Sequence, residues 1–330
     1  QELRTEKYRK DPSREALLKE LNERLHPLQI ELEASFVAPE LPVIFVIGAP
    51  RSGTTLVSQL LAYSGSIGYV SNFVARFWLA PLIGAKLEAG LGLRDEEPVE
   101  PFVSEYGVTK GCTSPHEFGY FWSYWFDQGQ ETHTLTNEEV HQIDSTRLRR
   151  RVASLEAFWE QPLSFKNNTW CTFQAGYLAD VFPSAIFLVC RKDPVYIAQS
   201  LLLARRERLG RDDAWWSMRP TSYPALLKLP WWKQVAAQAL EVEREMLKAL
   251  KPVASSRKIE IHYAELCARP KKLMQELRDH LNSTNIKLEP FRDVPSEFRS
   301  TDTQRVSNRD WQLINDAVAE FRRSGGPISG

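Results

Sequence analysis

The stretch from Pro42 to Gly65 constrains the chain more than any other. It opens with Val43-Ile44-Phe45-Val46-Ile47, apolar at every position and rich in β-branched residues. A run that short, apolar on both alternations, predicts a strand buried on both faces of a parallel sheet. Gly48-Ala49-Pro50-Arg51-Ser52-Gly53 then predicts a turn, and Thr54 to Leu61 has helical spacing, with Leu56, Leu60 and Leu61 on one face. Strand, glycine turn and helix together make an anion cradle. The first N–H groups of the helix lack partners within it, and the helix dipole places partial positive charge there.

The loop departs from the nucleotide-triphosphatase pattern G-x-x-x-x-G-K-[ST]. Gly48, Gly53 and Thr55 match it, but Thr54 stands where the lysine belongs, and the cation is inside the loop as Arg51. A triphosphate would lose its main charge partner here, while a planar guanidinium suits a phosphate or sulfate bidentately. The expectation is an anion smaller than a triphosphate, held without obligatory metal.

Gly48 to Leu56, GAPRSGTTL, resembles the 5′-phosphosulfate loop of sulfotransferases that use 3′-phosphoadenosine 5′-phosphosulfate, and the chain is most similar to the bacterial members. A second family signature follows downstream. Ala185 to Cys190 predicts another buried strand, and Arg191-Lys192-Asp193-Pro194 leads into a helix carrying Ser200. The family's 3′-phosphate motif has an arginine eight residues before such a serine. Here that position is Lys192, with Arg191 one residue earlier, so both stay candidates. The resemblance covers about residues 40 to 310. It implies one α/β domain over 41–330, with a central parallel sheet, a P-loop-like turn, helices on both faces and helical insertions on the acceptor side. Residues 1–40 are expected to form an N-terminal helical extension.

The implied donor site uses Arg51, Ser52, Gly53, Thr54 and Thr55 for the phosphosulfate. Arg191 or Lys192, Ser200 and a late-loop cation, Arg305, would meet the 3′-phosphate. Leu163 to Asn168 resembles the family's short strand ending in Lys-x-Pro, with Asn168 in place of proline, which makes Lys166 a candidate to touch the sulfuryl group. Some relatives carry a catalytic glutamate after the second strand, but Ser71-Asn72 stand there instead. The base is therefore sought in Ser114-Pro115-His116-Glu117: His116 as base, since imidazole titrates near neutrality, and Glu117 as its orienter or as the base itself. Ser114, Pro115 and Glu117 also fit a capping box opening a helix, which would give Glu117 a purely structural role.

Composition adds bounds. The chain has 330 residues, 43% of them hydrophobic, with 42 basic and 42 acidic side chains. The neutral balance gives no support for nucleic-acid or anionic-membrane binding. No stretch reaches the ~18 apolar residues of a membrane span, and no signal peptide stands out. The chain begins at Gln1 rather than Met, which leaves room for a preceding segment. Cys112, Cys171, Cys190 and Cys267 have no metal-ligand spacing, and a reducing, cytoplasmic setting fits them.

The remaining elements are read from periodicity. Residues 1–12 are expected to fray. A helix capped by Ser13 is expected to present Leu17, Leu18, Leu21 and Leu25 and to break or kink at Pro27. Ile67 to Val70 predicts a strand, Ser71 opens a helix to about residue 88, and 89–110 reads as loop. The arginine run at 149–151 reads as a solvated face. Paired tryptophans (Trp215-Trp216 and Trp231-Trp232), with Trp122 and Trp125, are expected to wall an apolar or aromatic acceptor pocket. Lys258 to Tyr263 predicts a late strand, and a last helix starts near Asp310.

Two other classes compete. A nucleotide-dependent kinase of a small molecule would need a magnesium-holding aspartate at a strand end, and only Asp193 qualifies. A non-catalytic nucleotide-binding module would keep the cradle and lack turnover. The favoured activity is sulfuryl transfer to a hydroxyl or amine of a small molecule, with adenosine 3′,5′-bisphosphate as product. The acceptor's identity and the oligomeric state are not encoded in any motif.

Overall fold

The computed structural model describes residues 4–96, 101–283, 286 and 288–325. Pro98, part of the expected 89–110 loop, lies outside them. The expected strand Val43 to Ile47 is the centre of the molecule. It forms β1 (Val43–Gly48), every residue of which is buried. Four parallel strands flank it, β2 (Gly68–Tyr69), β5 (Leu163–Lys166), β6 (Ile186–Arg191) and β7 (Lys258–His262), in the order β2-β5-β1-β6-β7. A separate two-stranded hairpin is made by β3 (Ser104–Glu105) and β4 (Val108–Thr109). No described helix is long and apolar enough to cross a membrane.

Alternation along β1 divides the core. Val43, Phe45 and Ile47 face one layer, where Phe45 stacks on Phe187 with ring centroids 5.5 Å apart and meets Trp122 edge-on at 5.9 Å. Ile44 and Val46 face the other, against Val57, Leu60 and Leu61 of the loop helix Thr54–Tyr63. Helices on both faces explain why the strand is apolar on both alternations. The register pairs Val46 with Lys166 and Gly48 with Cys190, so β1, β5 and β6 all end at one edge. The chain leaves β1 to one side and later returns to the other, which makes the crevice at that edge the switch point of an open α/β sheet.

Several local expectations differ from what forms. The N-terminal helix runs unbroken through Pro27, from Pro12 to Glu33, and Asp11 rather than Ser13 caps it. Its buried positions are Asn22, Gln29 and Glu33, while Leu17 points to solvent. Long-range polar bonds override both proline and leucine pattern here. Asn22 donates to the Arg76 carbonyl at 2.7 Å and accepts from the Leu79 N–H at 2.8 Å. Glu33 takes a forked contact from Arg151, which also reaches the Leu79 carbonyl at 2.9 Å. Arg151 thus leaves the expected solvated face and is fully buried. The segment before this helix is tied down rather than frayed from Thr5 onward. The Thr5 N–H donates to the Arg208 carbonyl at 2.8 Å, and Lys7 pairs with both Glu105 and Glu207.

The expected helix from Ser71 is interrupted. A single 3₁₀ turn (Val74–Arg76) precedes a helix at Pro81–Gly90. The expected capping box at Ser114 does not form either, and the helix starts later, at Gly119–Phe126. One cause explains both: the His116 N–H donates to the Val70 carbonyl, the Asn72 N–H donates to the Ser114 carbonyl, and Ser71 bridges to Pro115. The two segments hold each other extended. Trp122 and Trp125 are core residues, not pocket walls, and of the two pairs at 215–216 and 231–232 it is Trp216 that lines the main cavity.

Truncating Arg151 to methionine strands the Glu33 carboxylate in the core. We expect a loss of ~3–5 kcal/mol of unfolding free energy, read from urea denaturation, and substantial recovery when Glu33→Leu is added.

Candidate active site

The turn after β1 bends sharply. Arg51 adopts φ +71° and Gly53 φ +99°, and Gly53 forms the N-terminal boundary of the loop helix. A Cβ on Gly53 would lie 2.6 Å from the Tyr263 ring, so glycine is required both for the conformation and for that approach. The Ser52 hydroxyl is buried without a protein partner. An orphaned donor, a helix N-terminus and an arginine in one turn make the cradle that the sequence predicts.

A second cationic cluster stands beside the first. The Arg51 Nε–H donates to the Ser200 hydroxyl at 2.9 Å, which ties the loop to the buried face of helix Pro194–Leu209. Lys192 lies over the Tyr263 ring at 3.7 Å and pairs with Asp302 at 2.7 Å. Arg305 is brought in by a clip between its loop and Gln199: the Arg305 N–H donates to Gln199 Oε1 at 2.6 Å, and the Gln199 amide donates to the Thr303 carbonyl at 3.0 Å. Burial, then the charge of Arg305, pushes the Arg51 guanidinium down from its ordinary pKa. Burial does the same to the Lys192 ammonium against the pull of Asp302. Arg191 is directed elsewhere, to Glu243 at 2.6 Å and Glu260 at 3.9 Å. Of the two alternatives, only Lys192 lines the cavity.

On the other side of the loop, Lys166 is paired with Glu117 at the end of β5. Asn167 caps the short helix that follows and donates to the Glu117 carbonyl at 3.1 Å. The β3–β4 hairpin roofs this group. Its two tip residues, Tyr106 and Gly107, both have positive φ, the geometry of a tight two-residue hairpin. A Cβ on Gly107 would sit 3.0 Å from Glu117 Oε1, 3.7 Å from the Thr55 hydroxyl and 3.8 Å from Lys166 Nζ. Thr55, Glu117 and Lys166 are therefore gathered around one point.

His116 faces the same cavity, but its Nδ1 accepts from the Phe118 N–H at 2.8 Å. That bond places the proton of the neutral ring on Nε2. Protein encloses the ring while one edge opens to the cavity, and this enclosure pushes its pKa down to about 4; Glu117 opposes the shift and Lys166, Arg76 and Lys10 add to it. The imidazole is neutral at ordinary pH and presents a donor.

Arg51, Gly53, Thr54, Thr55, His116, Glu117, Lys166, Lys192 and the Tyr106–Gly107 tip border one cavity of about 1450 Å³, whereas Ser52, Ser200 and Arg305 are not part of its lining. Leu56, Phe102, Tyr263 and Phe298 also line it, and Phe102 meets Phe298 edge-on at 4.9 Å. Arg76, Trp78 and Tyr120 line the side beyond His116. No motif or spacing in the sequence marks the roof residues Tyr106 and Gly107 as part of a site. The one local signal was Gly107 after an aromatic residue in a stretch that otherwise reads as loop.

A parallel α/β sheet with this cradle at its carboxyl edge is a P-loop-like transferase architecture. The sequence profile of the sulfotransferase family matches residues 42–285, and the chain belongs to that family. Among solved structures, it is similar to the sulfotransferase STF1 of Mycobacterium tuberculosis H37Rv (TM-score 0.52, 16% identity, 92% of this chain and 82% of that one). It is also similar to the sulfotransferase STF9 of Mycobacterium avium (TM-score 0.51, 16% identity, 90% and 71%). At this identity the likeness speaks for the fold. No curated protein sequence matches the chain.

Replacing Gly53 by alanine forces a Cβ into Tyr263 and a disfavoured φ. We expect the variant to fold and to lose at least tenfold in affinity for adenosine 3′,5′-bisphosphate, measured by calorimetry, since ~1–3 kcal/mol of backbone strain falls within the cradle.

Proposed function

We propose that this sulfotransferase moves a sulfuryl group from 3′-phosphoadenosine 5′-phosphosulfate to a hydroxyl of a small molecule. The observation that carries the donor assignment is the pair of adjacent anion sites joined by the Arg51–Ser200 hydrogen bond. One anion site would serve many phosphate ligands; two, with aromatic side chains beside them, fit a nucleotide with charge at both its 3′ and 5′ ends. The residues fit this group: Ser52 offers an unpartnered hydroxyl, Gly53 leaves room, and Arg51, Lys192 and Arg305 repel one another until anions arrive. Arg51, Ser52, Gly53, Thr54 and Thr55 would hold the phosphosulfate, and Lys192, Ser200 and Arg305 the 3′-phosphate. Arg191 is left out of that set because Glu243 and Glu260 engage it. When bound, the donor supplies the sulfuryl group and leaves as the bisphosphate.

The chain's own groups do the rest. Glu117 takes the proton from the acceptor hydroxyl as the oxygen bonds to sulfur. Lys166 and Arg51 neutralise charge at the sulfuryl and leaving phosphate oxygens, the usual role of cations in such transfers. The Lys166–Glu117 pair keeps both groups in place beforehand. His116 serves as a hydrogen-bond donor at Nε2 rather than as the base, because its one lone pair is already engaged by Phe118. The reading requires no metal: Asp193, the kinase alternative's magnesium candidate, accepts from the Val195 N–H at 2.9 Å and caps its helix. Cys171 and Cys190 are buried thiols, which suits a reducing, cytoplasmic setting.

Thermal unfolding tests the donor. Adenosine 3′,5′-bisphosphate at about 100 times its dissociation constant should add ~2.7 kcal/mol and raise Tm by a few degrees without magnesium. Stabilisation by magnesium-ATP alone would transfer the case to the kinase reading, and bisphosphate binding with no turnover over a broad alcohol and amine panel would leave a binding module. Steady-state kinetics test the base. Glu117→Gln should lower kcat by roughly 10²–10⁴-fold, whereas His116→Asn should keep a pH profile of unchanged shape, because a ring that charges only below about pH 4 adds no limb near neutrality.

A further inference from the structure

The acceptor side of the cavity carries a cation that the transfer chemistry does not use. Arg76 ends the 3₁₀ turn Val74–Arg76, and its carbonyl is held by Asn22, which is completely buried in helix Pro12–Glu33. The backbone is anchored, and the side chain lines the cavity. Among the described residues no carboxylate pairs with it. Glu15, the nearby acid, is engaged by Lys10 at 2.9 Å and by the Tyr120 hydroxyl. Partial burial, then the like charge of Arg14, pushes the Arg76 guanidinium down from its ordinary pKa, and Glu15 and Cys112 offset this only in part. A partly buried guanidinium that faces a cavity with no carboxylate partner is available to pair with a ligand anion.

The surface beside Arg76 is aromatic. Trp78 and Tyr120 pack against each other at a tilt of 45° with ring centroids 4.8 Å apart, Lys10 lies over the Tyr120 ring at 4.2 Å, and Leu18 and Ala75 line the same cavity. Arg76 also lies close enough to His116 to act on its protonation, so this wall and the Glu117 group belong to one chamber.

We infer that the acceptor is an anionic, aromatic or apolar-bodied alcohol, whose carboxylate or comparable anion pairs with Arg76 while its body packs on Trp78 and Tyr120. The inference rests on the acceptor chamber proposed above and adds a charge requirement to it. An uncharged lipid-like alcohol would leave Arg76 unpaired. A fork of guanidinium donors suits a carboxylate in particular.

The test uses naphthalene-2-carboxylate and its neutral amide as probes, titrated calorimetrically into the full chain with and without saturating adenosine 3′,5′-bisphosphate. The acid should bind roughly ten- to a hundredfold more tightly than the amide, the range expected for one charge-assisted contact. The preference should collapse in Arg76→Gln, return in part in Arg76→Lys, and weaken as salt rises. Affinity for the bisphosphate should be the same in all three proteins. Equal affinity for acid and amide, a preference that survives Arg76→Gln, or no binding of either probe at millimolar concentration overturns the inference. Failure of the bisphosphate to bind would instead overturn the donor assignment. The acid–amide difference measured without nucleotide would still stand or fall by itself.

Discussion

The site depends on one constraint, the parallel register that ends β1, β5 and β6 at the same edge of the sheet. Each strand delivers one cation to that edge: Arg51 from the turn after β1, Lys166 at the end of β5, and Lys192 just past β6. None of the three is near another in sequence. Hydrogen-bonded strands lie about 4.8 Å apart, so a fixed register gathers their ends along one edge, where two anion sites can stand side by side. A one-residue slip of β5 would turn Lys166 to the opposite face, away from Glu117, and place Phe165 in its stead.

Concentrating cations at one edge costs stability, and the fold offsets that cost unevenly. Lys192 keeps Asp302 and Lys166 keeps Glu117, both as close pairs. Among the described residues Arg51 has no close acidic pair: it meets the neutral Ser200 hydroxyl and the Tyr106 ring, 5.4 Å from its guanidinium carbon, with Glu117 acting on it without a bond. The least compensated charge therefore sits in the turn with the orphaned Ser52 hydroxyl. Ligand anions would satisfy both at once, so the electrostatic balance of the protein and the binding of its donor are the same problem.

Elements carried by local sequence were legible beforehand. β1, β6 and the loop helix announce themselves by apolar runs bounded by glycine, proline or aspartate, β5 is legible through the family resemblance of Leu163 to Asn168, and the anion cradle follows from β1 and its turn. The parts that were not legible depend on distant partners. Whether Arg191 or Lys192 enters the cavity is decided by Glu243 and Glu260, far along the chain. The capping box at Ser114 fits the helix rules yet loses to the carbonyl of Val70. Pro27 and Leu17 point to a broken helix with a leucine face, whereas Arg151 and Leu79 select a continuous helix that buries Asn22 and Glu33. Tryptophan pairs mark bulk without saying which side of a wall it fills, and Trp122 went to the core.

The roof over Glu117 shows how little of such a site a motif describes. The β3–β4 hairpin has no family signature in this sequence, yet it sets the ceiling of the reacting chamber. Its tip requires positive φ at two consecutive residues, and the second must lack a Cβ because Glu117 lies 3.0 Å from where one would stand. The first, Tyr106, accepts the unfavourable conformation and covers Arg51 with its ring. Glu105 beside it is held by Lys7 at 2.6 Å and by the Tyr8 hydroxyl at 2.6 Å. Lys7 and the Thr5 backbone in turn grip the end of the Ser200 helix at Glu207 and Arg208. The N-terminal segment therefore fastens the roof to the same helix that anchors Arg51. That links residues 5–8 physically to the shape of the candidate site, although no local pattern in them suggests a role there.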